Sequence, residues 1–332
     1  MPKPDPFLLA LIATLVLASL LPCQGSATLV FHDLTIIVIA IMFFLQGARL
    51  SRQSMLAGLG HWRLQGAIFA CTFMLFPLLG LGLHSLLPHL LTPTLWLGIL
   101  FVCTLPSTVQ SSIAFTSIGR GNVPAAVCAA TASNLLGIAV TPLLVGLLLS
   151  RSGGGVSGHA VLDIVLQLLL PFILGQLLQP WIGKWALRNR RLLSFTDRGS
   201  ILIVVYTAFS EAVIQGIWHK LPPSMLGLVL LVDVGLLTVV LLVTRYGSRL
   251  LGFSREDEIA IVFCGSKKTL ASGVPMAGVL FPPATVGMVV LPLMLFHQIQ
   301  LFVCAVMARR YGSRVDTDQT AGHQTVAQRS GS

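Results

Sequence analysis

Ten apolar runs follow one another along the chain, near residues 7–22, 31–48, 62–84, 94–119, 122–149, 160–182, 200–218, 223–244, 258–281 and 285–308. An α-helix needs about 20 such residues to cross a hydrocarbon layer ~30 Å thick. Water is absent there, so each backbone amide must be satisfied inside the protein, and helices do this within one segment. Composition agrees: only 10% of the 332 residues are charged, against roughly 25% in a soluble protein. The chain reads as an all-α polytopic membrane protein in contact with lipid. The first run follows Lys3 and ends at Leu20-Leu21-Pro22-Cys23, where proline before the cysteine disfavours cleavage, so it is kept as a span.

Lysine and arginine fall in alternate gaps. Lys3, Arg49, Arg52, Arg63, Arg120, Lys184, Arg188, Arg190, Arg191, Arg198, Arg245, Arg249, Arg255, Arg309, Arg310, Arg314 and Arg329 share one face under a ten-span reading; Arg151 and Lys220 share the other. By the positive-inside rule both termini are expected in the cytoplasm, with the helices in a bacterial inner membrane. The net charge of +10 is thereby explained as topology, and no aromatic interleaving supports a nucleic-acid partner. Six cysteines show no ligand spacing, so neither metal nor disulfide is expected.

Between the fifth and sixth runs lies the glycine-rich stretch 151–158. It divides a first five-helix repeat, residues 1–150, from a second, residues 159–310, followed by a polar tail, residues 311–332, expected to be disordered and cytoplasmic. An odd number of spans per half inverts the second half. The fourth run of each half is the irregular one. Residues 105–112 read Leu-Pro-Ser-Thr-Val-Gln-Ser-Ser, and residues 264–270 read Cys-Gly-Ser-Lys-Lys-Thr-Leu. Two adjacent lysines inside an apolar run are costly, about 2.5–3.5 kcal/mol each at a bilayer centre, and point to use. Matching interruptions in two halves are the sequence sign of a transporter's midplane site.

These stretches carry a family resemblance. Leu105-Pro106-Ser107-Thr108-Val109-Gln110-Ser111-Ser112, with Arg120-Gly121-Asn122-Val123 after it, resembles the fourth-helix signature of the bile acid:sodium symporter family. Phe263-Cys264-Gly265-Ser266-Lys267-Lys268-Thr269-Leu270-Ala271-Ser272-Gly273 is similar to the ninth-helix signature of its sodium/bile acid cotransporter 7-like branch. The resemblance covers about residues 7–310. It implies ten helices in two inverted five-helix repeats, a panel domain and a core domain, with discontinuous helices 4 and 9 crossing in the core, as in cation/proton antiporters. It also exposes departures. No acid or glutamine stands at the start of the second break, Ile113 stands where the family keeps an asparagine, and Ala126 and Ala130 stand near the positions of hydroxyls.

The candidate ion- and solute-binding residues are Thr108, Gln110, Ser111, Ser112, Thr131, Ser133, Asn134, Glu211, Asp233, Ser266, Lys267, Lys268, Thr269, His297 and Gln298. Gln300 and Gln215 accompany them, and sodium, if bound, is expected near Ser111, Ser112 and Asn134. Glu211 and Asp233 are intramembrane carboxylates and candidate partners for either lysine. The leading expectation is a secondary transporter of a small organic anion, coupled to sodium by resemblance. One alternative couples to protons, Lys267 and Lys268 replacing the sodium sites. Another is a non-transporting membrane regulator of ion or envelope homeostasis. No enzyme is expected, because no nucleophile–base set or HExxH motif occurs. No cofactor is expected beyond Na+ or H+ as coupling ion. The oligomeric state is left open.

Overall fold

The structure is a computed structural model that describes residues 6–49, 61–151, 158–214, 216 and 222–329. Its elements are α1 Pro6–Leu20, α2 Ser26–Arg49, α3 Trp62–Ala70, α4 Phe76–Leu86, α5 Pro93–Thr104, α6 Val109–Ile118, α7 Val123–Arg151, α8 Gly158–Arg188, α9 Arg190–Ile214, α10 Pro223–Leu250, α11 Arg255–Gly265, α12 Leu270–Leu280 and α13 Pro283–Arg329. No strand occurs among the described residues.

Among the described residues, six helices are long and apolar enough to cross a membrane: Ala27–Arg49, Trp62–Leu86, Val123–Leu147, Arg191–Ile214, Pro223–Leu250 and Pro283–Ser313. Pro93–Thr104 and Val109–Ile118, bent by 60° at their break, together make a seventh. The ten-run pattern predicts more because it also includes α1, α8 and the α11–α12 pair; Leu9–Leu20 and Leu168–Gly183 are shorter apolar segments of α1 and α8, and α11 and α12 have 11 residues each with the break between them. Leu29, Leu78, Leu177, Leu231 and Phe302 are exposed on five different helices, an apolar surface suited to lipid rather than water.

Local chemistry explains the breaks. Pro106 has no N–H to continue α5, and the residue before a proline disfavours the α conformation, so Leu105 is extended at φ −71°, ψ 151°. Ser254 caps α11 by accepting from the Asp257 N–H, with three acids in the first turn. In the third run, α3 and α4 are joined by a π-type turn, Cys71–Leu75. Thr72 lies five residues before Pro77, so the i→i−5 donor of a π turn is missing there.

Close helix packing uses glycine where backbones touch. A Cβ on Gly175 would collide with the Phe44 carbonyl of α2, and one on Gly47 with the Phe172 carbonyl of α8. A Cβ on Gly137 would meet Pro106 at 2.5 Å, so α7 supports the first break. Helices α1, α2, α8 and α9 pack together on one side, and α9 joins them to α12 and α13.

At the start of the polar tail expected over residues 311–332, Tyr311 is buried with its hydroxyl donating to Glu258 at 2.9 Å. The pattern from Tyr311 onward is polar by composition, while this tyrosine is held by a carboxylate distant in sequence. The centre of the glycine-rich stretch, residues 152–157, lies outside the described residues.

Candidate ion and solute site at the paired helix breaks

The two interruptions face each other and exchange hydrogen bonds. Thr108 and Thr269 are the N-caps of α6 and α12. The Thr269 N–H donates to the Pro106 carbonyl at 3.0 Å, and the Thr108 hydroxyl donates to the Lys268 carbonyl at 2.9 Å. Ser112 donates to the Phe263 carbonyl at 3.0 Å.

The last carbonyls of α5 cannot bond within their own helix, and each finds a partner. Phe101 accepts from the Thr104 hydroxyl, Val102 from the Leu105 N–H, and Thr104 from the Thr141 hydroxyl. Cys103 and Leu105 accept from the Lys268 ammonium at 3.0 and 2.7 Å. The third donor of that ammonium goes to the Thr72 carbonyl at 2.8 Å, in the π-type turn that Pro77 leaves short of an N–H. The Phe76 ring centroid lies 4.0 Å away, a contact worth about 2 kcal/mol when desolvated. Lys268 is thus a fully buried cation in a carbonyl cage at the negative end of a helix dipole. Its backbone is clamped as well. The Gln300 side chain accepts from the Lys268 N–H and donates to the Lys268 carbonyl, both at 2.7 Å.

Lys267 points elsewhere. Its ammonium donates to Ser111 Oγ at 3.2 Å and lies 4.2 and 5.8 Å from the Phe115 and Phe263 ring centroids. It is also fully buried. Neither lysine snorkels, and the bonds of neither go to Glu211 or Asp233.

Beside the breaks lies a cavity of about 440 Å³. One wall is formed by the first turns of α6 and α12, Thr108 to Ser111 and Thr269 to Ser272, with Thr131, Asn134 and His297. The opposite wall carries Gln46 and Arg49 of α2, Phe172 of α8, and Ser194, Asp197 and Arg198 of α9. Arg49 and Asp197 form a bidentate pair at 2.7 and 2.6 Å, and Arg198 stacks 5.5 Å over the Phe7 ring. The Thr108 side chain does not cap α6. The first turn of α6 therefore keeps uncapped N–H groups and a partial positive charge at this wall, whereas in α12 the Thr269 hydroxyl accepts from the Ser272 N–H.

Of the residues singled out in the sequence, Thr108, Gln110, Ser111, Thr131, Asn134, Thr269 and His297 line the cavity. Ser112, Ser133, Ser266, Lys267 and Lys268 lie buried behind it. Ser133 accepts from the Ser107 N–H, and Ser266 donates to the Val262 carbonyl. Ser111, Ser112 and Asn134, grouped as sodium ligands, are engaged by Lys267, Phe263 and Ser272 respectively. Glu211 and Gln298 are half-buried and not among the cavity residues. Asp233 is fully buried on α10, and neither oxygen has a hydrogen-bond partner among the described residues. Gln215 lies outside the described residues. The sequence did not single out Arg49, Asp197 and Arg198 as site residues: the two arginines read as loop charges, and only their place at helix ends folded over the cavity gives all three another role. Among the described residues no cluster of three His, Cys, Asp or Glu could hold a metal.

The profile of the SBF-like CPA transporter family matches residues 5–313. PA2026 of Pseudomonas aeruginosa is 60% identical over 315 residues, covering 94% of each chain. YfeH of Escherichia coli (strain K12), provisionally named a symporter, is 53% identical over 320 residues, covering 96% of each. Sodium/bile acid cotransporter 7-B of Xenopus laevis is 26% identical over 309 residues, covering 91% of this chain and 90% of the relative.

Proposed function

The chain belongs to the SBF-like CPA transporter family, and from that premise we propose that it carries a small organic anion across a bacterial inner membrane by alternating access. It is a multi-pass membrane transport protein and not an enzyme. The observation that carries the substrate class is the cavity, about 440 Å³ in volume, with two half-helix N-termini on one wall and Arg198 on the other. Both favour negative charge. Phe172, Leu135, Ile138 and Ile201 supply an apolar lining, which suits a solute with an organic body behind its charged group.

The reciprocal bonding of Thr108 and Thr269 supports ten spans in two inverted repeats, residues 1–150 and 159–310, with the discontinuous fourth and ninth spans crossing. The charge pattern of the gaps supports cytoplasmic termini. On that orientation the cavity opens toward the cytoplasm, where α2 ends at Arg49 and α9 begins at Arg190.

The cage supports a reading of the coupling. A sodium ion at this helix end would take the oxygens of Thr72, Cys103 and Leu105, and the Lys268 ammonium already takes all three. We read Lys268 as a tethered cation that does the structural work of a bound ion. Protons are then the coupling ion. Sodium is the second reading, favoured by the name of the Xenopus relative.

The test is uptake into proteoliposomes of a panel of radiolabelled organic anions that includes a bile acid. Uptake driven by an inward proton gradient, unchanged when potassium replaces sodium, is the expected result. Strict dependence on sodium would overturn the proton reading. No uptake of any anion by folded protein would overturn transport.

A further inference from the structure

Two arginines one turn apart near the end of α10 are held very differently. Arg249 spends its fork on Glu258 of α11, at 2.8 and 3.1 Å, and Tyr311 of α13 donates to the same carboxylate at 2.9 Å. Arg245 is left out of this exchange. Its Nε stays 4.0 Å from Glu258 and is buried with no hydrogen-bond partner among the described residues. The guanidinium lies 5.9 Å over the Tyr311 ring, and the side chain is 31% exposed. Aromatic support holds the group in place but supplies no acceptor for its terminal N–H groups.

The depth of Arg245 says what could supply one. Helix α10 has 28 residues. At about 1.5 Å per residue it is about 42 Å long, so when centred on a hydrocarbon layer ~30 Å thick it reaches about 6 Å beyond on each side. Arg245, five residues from the end at Leu250, then stands at the boundary between acyl chains and headgroups. Val239, Leu242 and Val243 are exposed on the turns before it, and Tyr246 is exposed beside it, an apolar face that ends in an interfacial aromatic. Positive charge is in excess here. Arg255, which donates to the Tyr311 carbonyl at 3.4 Å, and Arg309 and Arg310 lie on the adjoining stretches of α11 and α13. The acids there are Glu256, Asp257 and Glu258. Asp257 accepts from the Asn122 amide at 2.7 Å, and Glu258 is taken by Arg249 and Tyr311.

We infer that Arg245 binds the phosphate of an anionic phospholipid, whose acyl chains run along the exposed face of α10 and whose headgroup lies at the junction of α10, α11 and α13. Phosphate oxygens match the guanidinium fork, and such charge-assisted bonds are strong where water thins out. The excess positive charge selects a headgroup with net negative charge over a zwitterionic one, whose ammonium it repels; basic pockets between helices on the cytoplasmic side take anionic lipids in this way. A free phosphate ion carries the same oxygens but no chains for the apolar face. Glu258 stands on α11, the helix that leads to the second break at Gly265, so a lipid bound here steadies the approach to that break from outside the solute cavity. The inference goes beyond the transport reading and uses neither its solute nor its coupling ion.

The experiment is thermal melting of purified full-length protein in detergent micelles, with dioleoylphosphatidylglycerol, dioleoylphosphatidylethanolamine or sodium phosphate added at equal phosphorus. Phosphatidylglycerol is expected to raise the melting midpoint by about 3 °C or more, by mass action on the folded state. Phosphatidylethanolamine and inorganic phosphate are each expected to give less than half that shift. Arg245→Gln should lose the phosphatidylglycerol shift. Arg249→Gln, whose fork serves Glu258, should melt lower in every condition yet keep the shift. If Arg245→Gln fails to fold, Arg245→Lys stands in: it keeps the charge but not the fork, and should retain at most half the shift. The proposal is overturned by no shift with phosphatidylglycerol, by an equal shift with phosphatidylethanolamine, or by an undiminished shift in the folded Arg245 variant. A full shift with inorganic phosphate would also overturn it, since the site would then be one for a free ion.

Discussion

The Lys268 ammonium donates to the Leu105 carbonyl oxygen over 2.7 Å, so a side chain of the second break completes the helix end at the first. With the bonds of Thr108 and Thr269, this makes the two interruptions one structural unit. Neither half could hold its open backbone groups without the other, since the bilayer offers no water to replace the partner.

Replacing Lys268 by alanine strands three buried carbonyls. At about 1–3 kcal/mol for each unsatisfied group, the loss should be about 3 kcal/mol or more, and thermal melting in detergent measures it. The emptied cage should accept a small cation. Sodium chloride is therefore expected to recover part of the lost stability, by mass action on the folded state, while choline chloride recovers none.

Gln300 acts on the backbone of the same residue. The change Gln300→Leu removes the acceptor of the Lys268 N–H and the donor to its carbonyl, both at 2.7 Å. A destabilisation of about 2 kcal/mol or more is expected. Gln298→Leu, two positions away and half-buried, should cost less than half as much in the same melt.

Glycine positions separate by what surrounds them. Gly175→Ala places a methyl against the Phe44 carbonyl, and nothing flexible can give way. Gly82→Ala meets nothing within 4 Å. The first should lower stability by about 1–3 kcal/mol. The second should be neutral or stabilising by up to about 1 kcal/mol, the helix preference of alanine over glycine.

Glu258 joins three helices, accepting from Arg249 at 2.8 Å and from Tyr311 at 2.9 Å. Its side chain is 6% exposed, whereas that of Arg249 is 49% exposed. Glu258→Ala should therefore cost about 3 kcal/mol, and Arg249→Ala about 1 kcal/mol or less. Equal losses in denaturation of the two variants would count against this account of the cluster.

Ala271 is exposed in the first turn of α12, on the cavity wall, while Ala277, on the same helix, is buried. In a background without reactive native cysteines, Ala271→Cys should react with a water-soluble maleimide and Ala277→Cys should not. Labelling should be faster in inverted vesicles than in right-side-out cells, because the cavity is read as cytoplasmic-facing.

The amino-acid sequence by itself determined the helical membrane class, the positions of both breaks and the residues gathered there. Runs of apolar residues can satisfy a bilayer only as helices, Pro106 must interrupt one of them, and paired lysines in such a run are too costly to be incidental. Tertiary structure alone decided what each residue does. Lys267 and Lys268 are neighbours in sequence, yet helix ends from distant parts of the chain give one a full carbonyl cage and the other a single hydroxyl. The Arg49–Asp197 pair and Arg198 became cavity residues only when α2 and α9 were folded over the breaks, and Asp233 on α10 makes no hydrogen bond to either lysine. The reason is physical: hydropathy is a property of each segment, whereas coordination depends on which carbonyls, hydroxyls and rings the fold brings within about 3 Å for a hydrogen bond or about 6 Å for a cation–ring contact.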